Sequence, residues 1–161
     1  MRGTLKVVGL AALVFVWGIT LSAFYGSHRL PDRIPTHFDM AGRVTGWGSP
    51  GMLWLLPVIV TSVYALMTWV TRFPGAFNYP VAVTAANRPL LQSITCDMIA
   101  WLKAELVCLF AFIQWAIVES ARAGRSILSP AAIPAAILVI WGTIAWYIVA
   151  MRRVARTRPR V

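Results

Sequence analysis

The chain has 161 residues, of which 59% are hydrophobic and 12% are charged, and its mean hydropathy is +0.72. Soluble domains carry about 25% charged residues, so this composition excludes an ordinary water-soluble globular protein. The formal net charge of +10 fits nucleic acid or a membrane surface, but no nucleic-acid-binding motif accompanies the basic residues. We therefore expect membrane lipids as partners and no nucleic acid.

Four apolar runs, at residues 5–25, 52–71, 99–118 and 131–151, predict membrane-spanning helices. Each is close to the roughly 20 residues that a helix needs to cross a hydrocarbon core about 30 Å thick. The first run is longer than the apolar core of a signal peptide and lacks a small-residue cleavage site, so we expect it to be retained. The sequence thus predicts an all-α fold, an integral membrane four-helix bundle forming a single domain over residues 1–161.

Local patterns refine these helices. Ser-Pro pairs at residues 49–50 and 129–130 precede the second and fourth spans and favour helix starts there. Asn87 precedes a long third helix with a cytoplasmic extension. Small residues every four positions in the first span allow close contact between helices of one chain or of two copies, so a homo-oligomer stays among the candidate partners.

The basic residues are distributed unequally between the two ends of these spans. Four spans place both termini and the middle loop on one side, and that side holds ten of the 15 Lys and Arg residues, including a basic tail at residues 152–161. Because Lys and Arg accumulate on the cytoplasmic side, we expect a multi-pass protein of the bacterial cytoplasmic (inner) membrane with both termini inside. The first loop is then on the outer side.

This outer loop, residues 30–49, is a polar, turn-rich segment between two apolar spans. Its prolines restrict the backbone and its glycines permit left-handed turns, so we expect an ordered loop folded back on the membrane surface. Trp47, just before the second span, suits an interfacial anchor.

Polar side chains on and beside the loop are candidate ligands: His28, Asp32, His37 and Asp39. Histidines and carboxylates at this spacing bind zinc or another divalent ion. Alternatively they form a hydrogen-bonded staple in which Asp32 accepts backbone N–H groups as an Asx turn. The pattern lacks the specificity of a zinc signature, so we predict the staple, with no metal and no cofactor.

The segment LPDRIPTHFD–x2–G–x3–GWGS resembles the signature of an uncharacterised bacterial membrane domain best known from the N-terminal domain of SdpI-type immunity proteins, here in a short four-span form. The matching positions are Leu30, Pro31, Asp32, Ile34, Pro35, His37, Phe38, Gly42, Gly46, Trp47 and Gly48. The chain departs from the pattern at Asp39, where asparagine is usual, and at Pro50, where lysine is usual. The resemblance implies immunity to, or sensing of, a membrane-active peptide.

The third predicted span contains Lys103 and Glu105, roughly 6 and 9 Å from its start at 1.5 Å per residue. At this spacing the two side chains point to different sides of the helix. Ionisable groups inside a membrane are candidate functional residues. We expect Lys103 to extend to the interface. For Glu105 the alternatives are a protonated carboxyl group, a pair with another helix, or a place in a proton or ligand path, and we favour a simple packing contact. Gln114, half a turn out of phase with Glu105, is not expected to extend the same stripe.

Three functions remain open. The first is non-enzymatic binding, immunity or envelope sensing, in which the loop presents Asp32, His37, Asp39 and Trp47 to a peptide or an envelope protein. The alternative is a small transporter or proton-coupled component that uses Glu105. The second alternative is a membrane-surface metal-dependent enzyme that uses His37 and Asp39. Because no common enzyme motif is present, we favour the first.

Overall fold

The computed structural model describes residues 2–26, 30–39 and 41–156. His28 and the last residues of the basic tail therefore lie outside the described residues. The elements in chain order are α1 (Arg2–Tyr25), β1 (Ile34–Phe38), β2 (Val44–Gly48), a 3₁₀ turn (Pro50–Trp54), α2 (Leu55–Val70), a second 3₁₀ turn (Pro74–Ala76), α3 (Arg88–Ala123) and α4 (Ala132–Arg156).

The chain is mostly helical, and three helical segments are long and apolar enough to cross a membrane, judged by length and composition. They are Arg2–Tyr25, Pro50–Val70 and Ala132–Arg156. They correspond to the first, second and fourth predicted spans. α3 is not one of the three. It is the long helix that the sequence predicts, with 36 residues and a length of about 54 Å at 1.5 Å per residue.

α3 is the central helix of the bundle. It packs against α1, α2 and α4, whereas α4 packs mainly on α3. Val16 of α1, Val60 of α2 and Val107 of α3 are fully buried together in one core cluster. The most apolar stretch of α4 has no buried residue, and Leu138 and Trp146 are among its most exposed side chains. α4 is therefore the peripheral helix and presents most of its apolar surface outward.

The outer loop contains a two-stranded antiparallel hairpin, β1–β2. The all-α prediction holds for the bundle but misses this element. Ile34 pairs with Gly48, and His37 pairs with Gly46, with a register shift on each side of His37. β-branched Val44 opens the second strand, as expected for a residue that favours strands. The backbone hydrogen bonds between the two strands thus give the loop a regular structure.

The hairpin is attached to the end of the bundle by its first strand. Ile34 and Pro35 are fully buried. Ile34 belongs to a cluster with Ala23 of α1, Leu53 of the 3₁₀ turn and Val118 of α3. Because burying an aliphatic side chain contributes about 1.5–3 kcal/mol, this contact holds the hairpin where α1 ends and α2 begins.

Candidate functional site

The tip of the hairpin is fastened by Asp39. Its Oδ1 accepts hydrogen bonds from the backbone N–H groups of Ala41 and Arg43, both at 2.9 Å, and its Oδ2 accepts one from Arg43 Nε at 2.7 Å. The backbone N–H of Arg43, followed by its side chain, holds the pKa of Asp39 below that of an ordinary aspartate. The predicted Asx staple is therefore present, but Asp39 forms it and Asp32 does not.

Asp32 and Trp47 lie on the exposed part of the hairpin. The carboxylate of Asp32 is exposed and accepts no hydrogen bond from the residues that the structure describes. The Trp47 side chain is 48% exposed, and its carbonyl accepts a long hydrogen bond from Arg33 Nη2 at 3.5 Å. Both side chains are thus open to a partner or to the membrane interface.

The imidazole of His37 lies across the neighbouring strand. A Cβ added at Gly46 would come within 2.9 Å of His37 Nδ1, and one added at Gly48 would meet Met52 Sδ first and come within 2.9 Å of the Thr36 methyl group. These distances are shorter than normal carbon contacts, so a side chain at either glycine would require the side chain of Thr36, His37 or Met52 to move. Thr36 Oγ1 lies 3.1 Å from His37 Nδ1. The ring is therefore positioned by its strand neighbours.

Gly42 joins the hairpin tip to the loop between α3 and α4. Its φ is +74°, and a Cβ at this position would press against the carbonyl oxygen of Leu128. Ser126 Oγ donates a hydrogen bond to the carbonyl of Gly42 at 2.5 Å and accepts one from Leu128 N–H at 3.2 Å. Two distant segments of the chain thus form one continuous surface at this end of the bundle.

A groove of about 290 Å³ lies between this hairpin, the C-terminal half of α3 and the N-terminal end of α4. His37 and Asp39 line one side, and Leu128, Pro130 and Pro134 line the other. A smaller cavity of about 150 Å³ adjoins it, and Thr36 and His37 line both. The structure therefore brings His37 and Asp39 into one groove, while Asp32 and Trp47 do not line it.

Gln114 is a buried residue whose importance the sequence analysis missed. It is fully buried, and its Nε2 donates to Thr20 Oγ1 at 2.7 Å and to the carbonyl of Leu53 at 3.0 Å. Its Oε1 has no partner among the described residues, and Gln114 lines the smaller cavity with His37. The available signal was an amide in an apolar run. Its half-turn offset from Glu105 directs it towards α1.

Lys103 and Glu105 contact different helices, in line with their spacing. Lys103 is 9% exposed, its Nζ donates to Thr68 Oγ1 at 2.9 Å and lies 4.3 Å from the centre of the Tyr64 ring. Both contacts are with α2, and the extension of Lys103 to the membrane interface stays a prediction. Glu105 Oε1 accepts a hydrogen bond from Thr143 of α4 at 2.5 Å.

The matched family covers the hairpin. Residues 9–61 match a domain of unknown function, DUF1648. The match runs from α1 through both strands into α2 and includes Asp32, His37, Asp39 and Trp47. No curated protein and no solved structure matches the chain. The description of the family names no activity, so the match does not extend to an immunity role.

Proposed function

We propose that α3 also spans the bilayer, so that the chain is a four-span protein of the bacterial cytoplasmic membrane. α3 packs along the three helices that are long and apolar enough to span. Its polar side chains Lys103, Glu105 and Gln114 each bond to a threonine on a different neighbouring helix. Polar groups of membrane helices are expected to face partners inside the bundle in this way.

The proposed topology places the termini in the cytoplasm and the hairpin outside. Cysteine substitutions test it in a chain whose Cys96 and Cys108 are replaced by alanine. We expect Ala123→Cys, at the end of α3, to react with a membrane-impermeant maleimide in intact cells. Gly75→Cys, where an added Cβ meets nothing within 4 Å, should react only after permeabilisation. Equal labelling of both positions in intact cells would contradict a spanning α3.

We further propose that the outer face binds a peptide or an envelope protein, in immunity or envelope sensing. The groove of about 290 Å³ beside His37 carries this proposal, because a rigid concave surface with apolar walls and a few polar groups is the usual form of a binding site. The exposed carboxylate of Asp32 adds a charged contact outside the groove. The proposal gives Asp39 a positioning role, since hydrogen bonds within the turn occupy its carboxylate.

Survival of cells challenged with a panel of membrane-active peptides tests this function. We expect cells that express the protein to survive better than cells that lack it, and His37→Ala or Asp32→Ala to reduce survival to the level without the protein. Thr45→Ala, an exposed position on the same hairpin, is the matched control and should protect as the wild type does. Membrane insertion of every variant is checked by fractionation. Full protection by both His37→Ala and Asp32→Ala would contradict the proposal.

A second candidate function is a small transporter or proton-coupled component centred on Glu105. It is favoured by the position of this carboxyl group inside the bundle, where Oε2 has no partner among the described residues. A metal-dependent enzyme at the hairpin has less support. Within the described residues no three His, Cys, Asp or Glu side chains are grouped to hold a metal ion, and Asp39 already accepts three hydrogen bonds.

A further inference from the structure

The seam between α3 and α4 contains an acidic side chain without a cation beside it. Three other acidic residues form ion pairs, namely Arg2–Asp97, Arg43–Asp39 and Arg122–Glu119. Glu105 forms no ion pair with any residue that the structure describes. Lys103 is only two positions away, but its ammonium group is held by Thr68 and Tyr64 on α2. No cationic side chain of the described bundle therefore pairs with the carboxyl group of Glu105.

Two grooves meet at Glu105. One, of about 360 Å³, continues towards the C-terminal end of α3 past Phe112. The other, of about 500 Å³, runs towards the N-terminal end of α3 and is lined by Trp101, Trp146 and Tyr147. Three aromatic side chains and a carboxyl group thus line one groove. Faces of tryptophan and tyrosine rings attract cations, so this combination suits a positive charge attached to an apolar body.

The wider groove also has open space where a ligand would lie. Gly142 of α4 lines it, and a Cβ added there would meet no atom within 4 Å. Trp146 is 70% exposed on the outer surface of the helices, so the groove opens sideways from the bundle. In a bilayer that side faces lipid, and a ligand would enter from within the membrane.

We propose that this groove binds a hydrophobic ammonium cation, with its nitrogen at Glu105 and its apolar part along Trp101 and Trp146. Oε1 of Glu105 accepts the hydroxyl of Thr143 at 2.5 Å, which leaves Oε2 for the ammonium. Oε2 is itself buried, so the proposal requires the Glu105 side chain to rotate until this oxygen faces the nitrogen. An uncompensated carboxylate in an apolar medium is costly, and the bound cation removes that cost. The site is separate from the groove beside the hairpin. It rests on the second candidate function, the transporter or proton-coupled component centred on Glu105, and names hydrophobic ammonium cations as its ligands.

Calorimetric titration of the full chain in phosphatidylcholine nanodiscs tests the site. The probe is 4-phenylbutylamine, and 4-phenylbutanol, of nearly the same shape but uncharged, is its control; empty nanodiscs correct for partition into lipid. We expect the wild type to bind the amine at least tenfold more tightly than the alcohol. Glu105→Gln should weaken amine binding at least tenfold and leave alcohol binding unchanged.

A variant that fills the groove provides an independent measurement. Gly142→Leu places a side chain in open space and raises helix propensity, so it is expected to fold. It should weaken binding of the amine and the alcohol alike, at least tenfold. If Glu105→Gln does not fold, judged by gel filtration, Gly142→Leu and the preference of the wild type for the amine decide the matter.

Three results would overturn the proposal: no preference of the wild type for the amine, unchanged amine affinity in Glu105→Gln, or unchanged binding of both probes in Gly142→Leu. His37 lines the other groove, beside the hairpin, so the His37→Ala variant should bind the amine as the wild type does. Failure of this site and failure of the outer-face function are therefore distinguishable, since one is measured by amine binding and the other by cell survival.

Discussion

Replacing Gly42 by alanine is expected to detach the hairpin tip from the α3–α4 loop and to destabilise the protein by several kcal/mol. The φ of +74° costs an L-residue about 1–2 kcal/mol. The added Cβ must also displace the carbonyl of Leu128, and overpacking of this kind costs a further 1–3 kcal/mol or so. The hydrogen bond from Ser126 to Gly42 should be lost at the same time.

Gly124→Ala is the matched control for Gly42→Ala. Gly124 also has a positive φ, +65°, but an added Cβ there meets nothing within 4 Å. We therefore expect only the conformational cost, about 1–2 kcal/mol. Unfolding in detergent measures both variants, and limited proteolysis within residues 30–49 reports the attachment of the hairpin. Equal stability loss in the two variants, with no added cleavage for Gly42→Ala, would show that the Leu128 contact does not hold the hairpin.

The second large effect is expected for Gln114→Leu. This change removes the hydrogen bonds from Gln114 to Thr20 on α1 and to the carbonyl of Leu53 before α2. Hydrogen bonds between membrane helices contribute about 0.6 kcal/mol on average and up to about 1.7 kcal/mol. Leucine also leaves the buried carbonyl of Leu53 without this donor. We expect a total loss of about 1–3 kcal/mol, measured by reversible unfolding in mixed micelles.

Gln92→Leu makes the same chemical change on the same helix. Gln92 is half-buried and forms no hydrogen bond through its side chain with the residues that the structure describes. Its replacement should change stability by less than about 0.5 kcal/mol, as for substitutions away from buried networks. A loss as large for Gln92→Leu as for Gln114→Leu would mean that the polar junction between α1, α3 and the 3₁₀ turn contributes no specific stability.

The helices could be predicted because length and apolar composition are local properties. The start of the 36-residue α3 could be predicted from Asn87 and Pro89, and its membrane-embedded part from the apolar run at residues 99–118. The hairpin could not be predicted in the same way. Its strands have five residues each, with register shifts on both sides of His37, and its tip is joined by a hydrogen bond to Ser126, far away in the sequence. Such tertiary contacts leave little local signal.

Only part of the candidate site could be predicted, because the rest depends on tertiary contacts. The loop and its polar residues could be recognised from composition, but which aspartate forms the Asx turn depends on where the turn presents its N–H groups. Asp39 lies at that point and Asp32 does not. The sequence does not single out Gln114, because it is out of phase with Glu105. The same offset indicates that Gln114 lies on a different face of α3 from Glu105. Because α3 contacts helices on several sides, that face is also buried and Gln114 bonds to α1 there.

Three threonines on the neighbouring helices bond to polar side chains of α3, and each acts towards α3 either as an acceptor or as a donor. The hydroxyls of Thr20 and Thr68 donate to carbonyls of their own helices, both at 2.7 Å, so towards α3 these oxygens can only accept. They face the amide of Gln114 and the ammonium of Lys103, which donate. Thr143 instead donates, to a carboxyl oxygen. A shift of one residue turns α3 by about 100° and would separate all these pairs at once. The match of donors and acceptors therefore fixes the rotation of α3 about its own axis. Apolar packing in lipid alone would define that rotation much less.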